Sequence, residues 1–448
     1  MLIAPLGFFR SSDEMPESHS GSGLSKCKLV PRPSKCKAVH CIESALALVA
    51  TSNLGWASMS GYHFLNENNN LSLDRRSLLK SVGMGMLSSS LLSTTGSGSS
   101  PQAERPKGAE GISRSFHKGM VGFQLAYEQF PVNELVELGV AVDQAGFDVL
   151  TNSDHLQPWQ ANEGHSGQAW LTMSAIAART RNVWLGTTVT CPTFRYSPSV
   201  VAEAFASLNI LYPGRIFLGV GSGEALNEEA ATGTWPKWPE RSERLVEATE
   251  IIRKLWEGQQ VEHKGKYYQV NMRLYDQPKT KIPLLMAGNG PKAMRRVGMY
   301  ADGLITDPKT WKEHREEFEE GARQAGKDPS QMPVFVEQFV CVGEKKDAQP
   351  AAGLWRFLPK AWKPYFNIRD PQVIEQRAKS EIPIEDLYKE MTISTDPDVH
   401  VKALREAFSG GATEVHIHSG QADQRRVIDF YGKEVLPRLR KGMAKRAA

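Results

Sequence analysis

A carboxylate, an imidazole and an indole lie close together in the stretch Ser153-Asp154-His155-Leu156-Gln157-Pro158-Trp159. The stretch follows an apolar run at 147–150, which predicts a short buried strand. A carboxylate beside an imidazole can fix the tautomer of the ring and raise its basicity, and an indole can wall a site for a flat ligand. The stretch therefore indicates acid–base chemistry; the alternative is that Asp154 caps a helix, His155 lies on the surface and Trp159 belongs to the core.

Other residues of chemical interest also follow predicted strands. They are Cys191, Thr193, Glu224, Asn227, Gly288, Asn289, Gly290, Asp307, Glu337, His416 and His418. In a barrel of alternating strands and helices, the carboxyl ends of the strands meet at one face, so these residues are expected at one mouth. His155 and Glu224, from different strands, then form a candidate acid–base pair. The alternative for Glu224 is a solvated carboxylate or a capping group.

Two of these groups raise the question of a bound ion. Gly288-Asn289-Gly290 precedes a predicted helix, where free backbone N–H groups can bind a phosphate, although the glycines also suit a plain helix-entry turn. His416 and His418 share one face of a strand, but two ligands without a third acid at suitable spacing make a poor metal site. We therefore predict an anion site and no metal.

Strand-like and helix-like segments alternate along the main body of the chain. The predicted strands lie at 120–126, 147–150, 183–190, 216–220, 283–287, 303–306, 333–342 and 414–418, and the predicted helices at 132–145, 168–179, 198–212, 241–256, from 292, 311–325, 397–408 and 423–436. About eight strand–helix units favour an α/β fold of the (β/α)8 TIM-barrel type, with inserted segments at 257–280 and 344–392. No Gly-x-Gly-x-x-Gly opens a helix early in the chain, so a dinucleotide-binding fold is disfavoured.

The composition of the 448 residues is that of an ordinary globular protein, with 40% hydrophobic and 23% charged residues. The net charge of +4 arises in residues 1–115, which hold 12 Lys and Arg against 8 Asp and Glu. The remainder is neutral, so nothing indicates a nucleic-acid surface. The five cysteines match no metal-binding or disulfide spacing.

The first part of the chain is predicted to lie outside the fold. Residues 1–70 are rich in Ser, Asn, Pro and Gly and are interpreted as a disordered or accessory extension. Residues 71–100 resemble a twin-arginine export signal, because Arg75-Arg76 precedes a weakly apolar, Gly- and Ser-rich stretch. Residues 101–117 are a polar linker, and 118–448 form the catalytic domain. The alternative is a chance arginine pair and a cytoplasmic protein.

Three motifs carry a resemblance to a known family. Ser153-Asp154-His155-x-Gln157-Pro158-Trp159, Pro192-Thr193-Phe194-Arg195-Tyr196, and the run from Phe217 to Glu228 resemble the glucose-6-phosphate dehydrogenases that use coenzyme F420, an 8-hydroxy-5-deazaflavin. That family belongs to the luciferase-like superfamily. The resemblance covers about residues 118–440 and implies a luciferase-like TIM barrel, a homodimer, and the deazaflavin bound at the mouth of the barrel.

The resemblance also assigns residues to the site. It places Asp154, Thr188, Cys191 and Asn227 in contact with the coenzyme, with Asn289 and Gly290 at its phosphate. It places His155, Trp159 and Glu224 around the reacting centre. It further implies a cis peptide bond after Thr188 that does not involve proline.

The chain departs from the sugar-phosphate enzymes where they bind the substrate phosphate. Asp307 stands where a Thr is expected, and Glu390 and Tyr365 stand at positions expected to be basic. Because an acid repels a phosphate dianion, we predict that glucose 6-phosphate is not the substrate. Together with the export signal, this favours the exported branch that resembles the hydroxymycolic acid dehydrogenases.

The second insertion is rich in aromatic residues, which have two interpretations. Trp355, Phe357, Leu358, Trp362, Tyr365 and Phe366 could form an apolar wall for a hydrophobic alcohol or carbonyl substrate, or they could cover the barrel core.

The predicted reaction is hydride transfer between an alcohol carbon and C5 of the deazaflavin. His155 suits the base that takes the hydroxyl proton, Glu224 would exchange the proton at the deazaflavin ring, and Trp159 would exclude water; the roles of His155 and Glu224 are interchangeable at this stage. One alternative is an FMN-dependent luciferase-like monooxygenase. The other is a deazaflavin-binding protein without catalytic activity.

Overall fold

The computed structural model describes residues 114–361 and 364–447. The predicted extension (1–70), the export signal (71–100) and most of the linker (101–117) lie outside the described residues, as does Trp362. None of the helices within these ranges combines the length and the apolar character needed to cross a bilayer.

Eight parallel strands close into a barrel, which confirms the predicted fold class. They are β1 (Met120–Leu125), β2 (Val149–Asn152), β3 (Trp184–Thr187), β4 (Ile216–Val220), β7 (Leu284–Ala287), β8 (Gly303–Thr306), β9 (Val334–Val342) and β11 (Glu414–His418). Each strand pairs in parallel with the next in this order, and β11 pairs with β1 to complete the ring. Because the eight strands are parallel, their carboxyl ends all lie at the same mouth of the barrel.

Three further strands lie outside the ring. β5 (Val261–Lys264) and β6 (Gln269–Met272) form an antiparallel hairpin in the first insertion, as predicted. β10 (Met391–Ser394) closes the second insertion and pairs in parallel with the far half of β9. β9 is longer than the other barrel strands, and its far half pairs with the end of the second insertion at the rim of the barrel.

The helices surround the barrel. They are α1 (Val132–Ala145), α2 (Ala169–Arg179), α3 (Pro198–Leu211), α4 (Glu228–Thr232), α5 (Trp238–Trp256), α6 (Pro291–Tyr300), α7 (Pro308–Gln324), α8 (Lys345–Leu354), α9 (Pro371–Glu381), α10 (Ile384–Glu390), α11 (Pro397–Ser409), α12 (Gln424–Phe430) and α13 (Leu436–Ala447), with a π-helical turn at Tyr431–Val435 between the last two. Their ends follow local chemistry. Gly146 ends α1 in the left-handed conformation, and the Ser197 side chain caps α3 just before Pro198.

Three predicted helix boundaries were wrong. The helix predicted from 241 begins at Trp238, with Pro239 in its first turn. The helix predicted from 311 begins at Pro308, because the Asp307 side chain accepts a hydrogen bond from the Thr310 amide and caps it. The last helix was predicted to stop before Pro437, yet α13 continues through that position. Pro437 is the second residue of a new helical segment, where the π-helical turn has already interrupted the regular hydrogen-bond ladder.

Aromatic side chains fill the amino-terminal end of the barrel. Phe116, just before β1, packs its ring 4.6 Å from that of Trp184 and 4.9 Å from that of Phe335. Phe217 packs against the same ring of Phe335 at 5.5 Å. This cluster closes the bottom of the barrel, so ligands are expected at the opposite end.

Candidate active site

A cavity of about 640 Å³ lies at the carboxyl ends of the barrel strands. Six of the nine predicted site residues line it: His155, Trp159, Thr188, Glu224, Asn289 and Gly290. The other three, Asp154, Cys191 and Asn227, are buried behind its wall. The strand-end argument therefore predicted residues that line one cavity, and a catalytic or coenzyme-binding role for any of the nine stays a prediction.

His155 faces a carboxylate that the sequence did not single out. Its Nδ1 lies 3.4 Å from Oε1 of Glu128, which follows β1, while the ring lines the cavity. The expectation that Asp154 sets the tautomer of His155 was wrong, because the Asp154 carboxylate is bound by other residues. With Nδ1 turned to Glu128, Nε2 is the ring nitrogen left for a ligand.

Burial shifts both members of this pair toward their uncharged forms. It raises the pKa of Glu128 to about 7, and the negative charges of Glu337 and Glu224 act in the same direction against hydrogen bonds from Ser153 and the backbone. Burial, with the positive charge of Arg195, lowers the pKa of His155 to about 3. An uncharged imidazole has a free lone pair, so His155 can accept a proton from a ligand.

Asp154 belongs to a buried ion-pair network that holds the His155 loop. Its Oδ1 is 2.9 Å from Nη2 of Arg195, and its Oδ2 accepts a hydrogen bond from Thr190 Oγ1 at 2.7 Å. The same arginine uses Nε to reach Oε1 of Glu228 at 3.2 Å. One cation thus ties the loops after β2, β3 and β4 together.

Asn227 connects the two loops that carry the candidate acid and base. Its Oδ1 accepts hydrogen bonds from the backbone N–H groups of Leu156 at 2.7 Å and Gln157 at 3.3 Å. Its Nδ2 donates to Oε2 of Glu224 at 3.2 Å. Burial raises the pKa of Glu224, opposed by this hydrogen bond and by the charges of Arg195 and Arg241. Glu224 is therefore protonated more readily than a solvent-exposed glutamate at the same pH.

Cys191 has a structural environment. Its Sγ lies 3.0 Å from Oγ1 of Thr193, and burial raises the pKa of the thiol. A Cβ at position 223, where the backbone φ is +79°, would stand 2.7 Å from this sulfur. The thiol therefore packs under the glycine turn that precedes Glu224.

One wall of the cavity is built mainly from backbone. The peptide bond between Thr188 and Val189 is cis, as the resemblance implied. A Cβ at Gly221 would meet Cγ2 of Val189 at 2.5 Å, so the loop after β4 packs directly on this segment. Both segments line the cavity, and a planar ring system can approach such a wall closely.

The start of α6 offers an anion-binding cradle. Asn289, Gly290, Lys292 and Ala293 line the cavity, and no side chain caps this helix. The backbone N–H groups of its first turn therefore point toward the cavity side without an acceptor from a cap. No atom lies within 4 Å of a Cβ built on Gly290, so the cradle is open. The arrangement fits a phosphate group, which the helix dipole favours by about 0.3–1 kcal/mol per charge.

Aromatic side chains form the opposite wall. The Trp159 indole stacks on Phe357, with ring centroids 4.6 Å apart and planes at 24°, and its centroid lies 5.5 Å from that of His155. Trp238, Trp355 and Phe366 also line the cavity. Phe357, Leu358 and Tyr365 instead pack within the core of the second insertion. Trp355 and Phe366 thus line the cavity and also pack on this core, and their contact with a substrate stays a prediction.

Sequence reasoning missed four residues near the cavity. Glu128 ends the β1 segment and could have been found by the strand-end argument that selected Glu224. Arg195 lies inside a quoted motif but received no role. Trp238 and Arg241 stand at the start of α5, and the guanidinium of Arg241 lies 3.7 Å from the ring centroid of Trp235. Nothing in the local sequence distinguishes them from ordinary helix residues.

The family described as luciferase-like monooxygenase matches residues 114–414. The chain belongs to the luciferase-like family. Its barrel is therefore that of a luciferase-like protein.

Relatives of this luciferase-like chain include deazaflavin-dependent enzymes. An F420-dependent hydroxymycolic acid dehydrogenase of Mycobacterium tuberculosis is 43% identical over 324 residues, which cover 71% of this chain and 88% of the relative. An F420-dependent glucose-6-phosphate dehydrogenase of Microbacterium testaceum is 39% identical over 330 residues, covering 72% and 98%. A solved F420-dependent secondary alcohol dehydrogenase in complex with an F420-acetone adduct is 32% identical with a TM-score of 0.68, covering 72% and 99%.

The positions expected to bind a sugar phosphate lie apart in this luciferase-like chain. Asp307 lines the cavity, and its carboxylate accepts hydrogen bonds from the backbone N and Oγ1 of Thr310. Glu390 is exposed at the end of α10, and Tyr365 is buried with its hydroxyl donating to Glu381. Neither Glu390 nor Tyr365 lines the cavity. Of the three differences from the sugar-phosphate enzymes, Asp307 is therefore the one that lies in the cavity.

Proposed function

We propose that this chain is an F420-dependent dehydrogenase that transfers a hydride between an alcohol carbon of its substrate and C5 of the deazaflavin. The observation that carries the proposal is the 43% identity to an F420-dependent dehydrogenase over 324 residues, combined with a cavity that brings His155, Trp159 and Glu224 together. Bound coenzyme F420 supplies the hydride acceptor or donor at its C5.

The residues of the cavity fit this coenzyme. The cradle at Asn289, Gly290 and Lys292 suits its phosphate, and the backbone wall formed by Thr188, Val189 and Gly221 suits a planar ring. Asp154 and Asn227 act from behind this wall, because they hold the loops that carry His155 and Glu224.

His155 and Glu224 have different roles in proton transfer, and Trp159 shields them from water. In the oxidising direction, His155 accepts the hydroxyl proton at Nε2, while Glu128 faces its Nδ1. Glu224, whose pKa is raised by burial, holds a proton for exchange at the ring of the ligand. Trp159 covers this region and excludes water, because its ring is fixed by stacking on Phe357.

The substrate that suits this cavity is an alcohol or carbonyl compound with an apolar part, and glucose 6-phosphate is disfavoured. Trp159, Trp238, Trp355 and Phe366 supply an apolar wall. Asp307 supplies a carboxylate where a phosphate-binding group was expected.

Titration with two coenzymes tests the proposal. Purified protein is titrated with oxidised F420 and, in parallel, with FMN, and ligand fluorescence is followed. Binding of F420 without binding of FMN is the expected result. Binding of FMN instead would favour the monooxygenase alternative, and binding of F420 without turnover across a panel of alcohols would favour a binding protein.

We also propose export by the twin-arginine route, supported by Arg75-Arg76 and the weakly apolar stretch that follows. That route carries folded proteins, which suits an enzyme that loads its coenzyme before export. Fractionation of the source cells tests this: the native protein is expected in the cell envelope, and its recovery entirely in the cytoplasm would contradict the proposal.

A homodimer is the assembly we propose. Leu171 on α2 and Leu211 on α3 are 73% and 62% exposed, and Val200 on α3 is 46% exposed. Large apolar side chains at the surface of neighbouring barrel helices support a contact between two copies.

A further inference from the structure

Four polar side chains line the cavity, and the mechanism above does not use them. They are Glu337 of β9, His416 and His418 of β11, and Gln124 of β1, and together they are called the polar floor. Within the described ranges, no cluster of three or more His, Cys, Asp or Glu side chains is arranged to hold a metal ion. These polar groups line a cavity of a size that admits an organic ligand.

Glu337 and His418 form an oriented pair. His418 Nδ1 donates to Oε1 of Glu337 across 2.6 Å. The imidazole is 2% exposed and packs between Phe339 and Trp355, at centroid distances of 4.5 Å and 4.4 Å, whereas the carboxylate side chain is 34% exposed. The buried imidazole thus holds one oxygen of the carboxylate, and the other oxygen remains for a ligand in the cavity.

The surroundings keep this carboxylate ionised. Burial alone would raise the pKa of Glu337, but the hydrogen bond from His418 and the charges of His418 and His416 hold it below its usual range. By contrast, the pKa values of the two other glutamates discussed above, Glu128 and Glu224, are raised. Glu337 is therefore the acid of this group that meets a ligand as an anion.

Within residues 114–361 and 364–447, His418 is the basic side chain that pairs with Glu337. His416 is already paired, with its Nδ1 3.0 Å from Oε2 of Glu414. Of the other cavity cations, Lys292 belongs to the cradle at α6, and Arg241 stacks on Trp235 at the start of α5. A carboxylate or phosphate on a substrate would meet repulsion at the floor.

We propose that Glu337 determines substrate specificity by binding a hydroxyl or cationic group that lies near the reacting alcohol of the substrate, and by disfavouring an anionic group there. A hydroxyl or ammonium donor makes a charge-assisted hydrogen bond to the free oxygen of Glu337. This rests on the proposed function, because the reacting alcohol is defined by His155. It narrows the substrate class to alcohols with a second donor group.

Four alcohols with a common carbinol test the proposal. Pentan-2-ol, butane-1,3-diol, 4-aminobutan-2-ol and 3-hydroxybutyrate differ only in an end group that is apolar, hydroxyl, cationic or anionic. Binding is measured by tryptophan fluorescence of the full chain, with and without F420, since Trp159, Trp238 and Trp355 line the cavity. Turnover is measured separately by deazaflavin absorbance.

The wild-type protein is expected to bind the diol and the amino alcohol about tenfold more tightly than 3-hydroxybutyrate, with pentan-2-ol between them. The Glu337→Gln variant keeps the shape of the side chain and should reduce this ratio to about twofold. Glu313→Gln, which removes an exposed carboxylate on α7, is the matched control and should keep the wild-type ratio. The wild-type ratio is informative even if Glu337→Gln fails to fold.

The proposal is overturned if the wild type binds all four alcohols equally, binds none of them, or prefers the anion. It is also overturned if Glu337→Gln weakens F420 binding and leaves the ratio unchanged, because Glu337 would then be a coenzyme contact. Failure of F420 to bind would contradict the proposed function alone, since the ratio is also measured without the coenzyme.

Discussion

At the scale of single residues, His155 is the side chain on which the proposed chemistry depends. It lines the cavity with an uncharged ring, its pKa being lowered to about 3 by burial and by the charge of Arg195. A ring in this state is unprotonated throughout the neutral range and can accept a proton from a bound alcohol, although the low pKa makes it a weak base in the absence of ligand. Its removal should therefore affect turnover far more than coenzyme binding.

We expect His155→Ala to lower turnover by about two to four orders of magnitude, which is the usual contribution of a general base. The dissociation constant for F420 should change by less than about threefold. Stopped-flow reduction of F420 and fluorescence titration measure the two quantities. Turnover close to that of the wild type would assign the base role elsewhere, with Glu224 the next candidate.

Glu128 makes stability depend on pH. Its pKa rises from 4.5 in a solvated state to about 7 in the fold, so the unfolded chain releases the proton first as the pH increases. The free energy of unfolding therefore has its full contribution from Glu128 below pH 4.5. As the pH rises to about 7, the free energy of unfolding falls by roughly 3 kcal/mol at most. The carboxyl group therefore destabilises the fold at neutral and alkaline pH.

Glu128→Gln should consequently raise the free energy of unfolding at pH 8 by about 1–3 kcal/mol and have little effect at pH 4.5. Urea denaturation at the two pH values measures this. Equal effects at both pH values would show that the substitution acts through packing. The same variant should lower turnover, because His155 loses a titratable neighbour at Nδ1.

At the scale of elements, the loops after β2, β3 and β4 share one buried cation. Arg195 lies between Asp154 and Glu228, both almost completely buried. Removing one partner of a buried ion pair leaves the other charge unpaired, at a cost of about 3–5 kcal/mol.

Arg195→Met should therefore destabilise the protein by about 3 kcal/mol or more, whereas adding Asp154→Asn and Glu228→Gln to it should recover part of the loss. Arg195→Lys is expected to fall between, since lysine cannot serve both carboxylates with a planar fork. Thermal unfolding of the four proteins tests this. An Arg195→Met protein as stable as the wild type would mean that the network contributes nothing to the fold.

The start of α6 is the element that we assign to the coenzyme phosphate. A side chain is tolerated at position 290, because its backbone is extended and the space is open. Gly290→Asp places a negative charge in the cradle, and Gly290→Asn places a neutral side chain of the same shape.

We expect Gly290→Asp to weaken F420 binding at least about tenfold more than Gly290→Asn does, with equal melting temperatures for the two variants. Fluorescence titration and thermal unfolding provide the two measurements. Equal affinities of the two variants would place the phosphate elsewhere.

At the scale of the whole molecule, we expect two exposed leucines to control assembly. Leu171→Glu combined with Leu211→Glu should shift the protein from dimer to monomer, because charges disfavour a buried apolar contact. Light scattering after gel filtration measures the mass, and circular dichroism checks the fold. Leu156→Glu, which changes an exposed leucine on the loop after β2, is the control. A dimer that persists in the double variant would place the interface on another surface.

The sequence predicted the barrel well because its signals are local. Apolar runs marked the eight strands, and Pro198 marked a helix start at which the backbone conformation is set by the residue itself. The end of the last helix was predicted wrongly at Pro437, because the π-helical turn before it depends on packing and not on local preference.

The site was predicted less completely, because partners across the barrel are separated in sequence. The neighbour of His155 is Glu128, 27 positions away in the turn after β1, and not the adjacent Asp154. Glu337 and His418 meet across two strands whose register no local pattern reveals. Adjacency along the chain was therefore a poor guide to adjacency in the cavity.

The aromatic plug around Phe116 has a kinetic consequence. Because that end of the barrel is filled, coenzyme and substrate are both expected to enter from the mouth of the barrel that the described residues form. The ligand that lies deeper must then arrive first and depart last. Initial rates are accordingly expected to follow a compulsory-order scheme, in which a dead-end analogue of the second ligand inhibits competitively against that ligand and uncompetitively against the first.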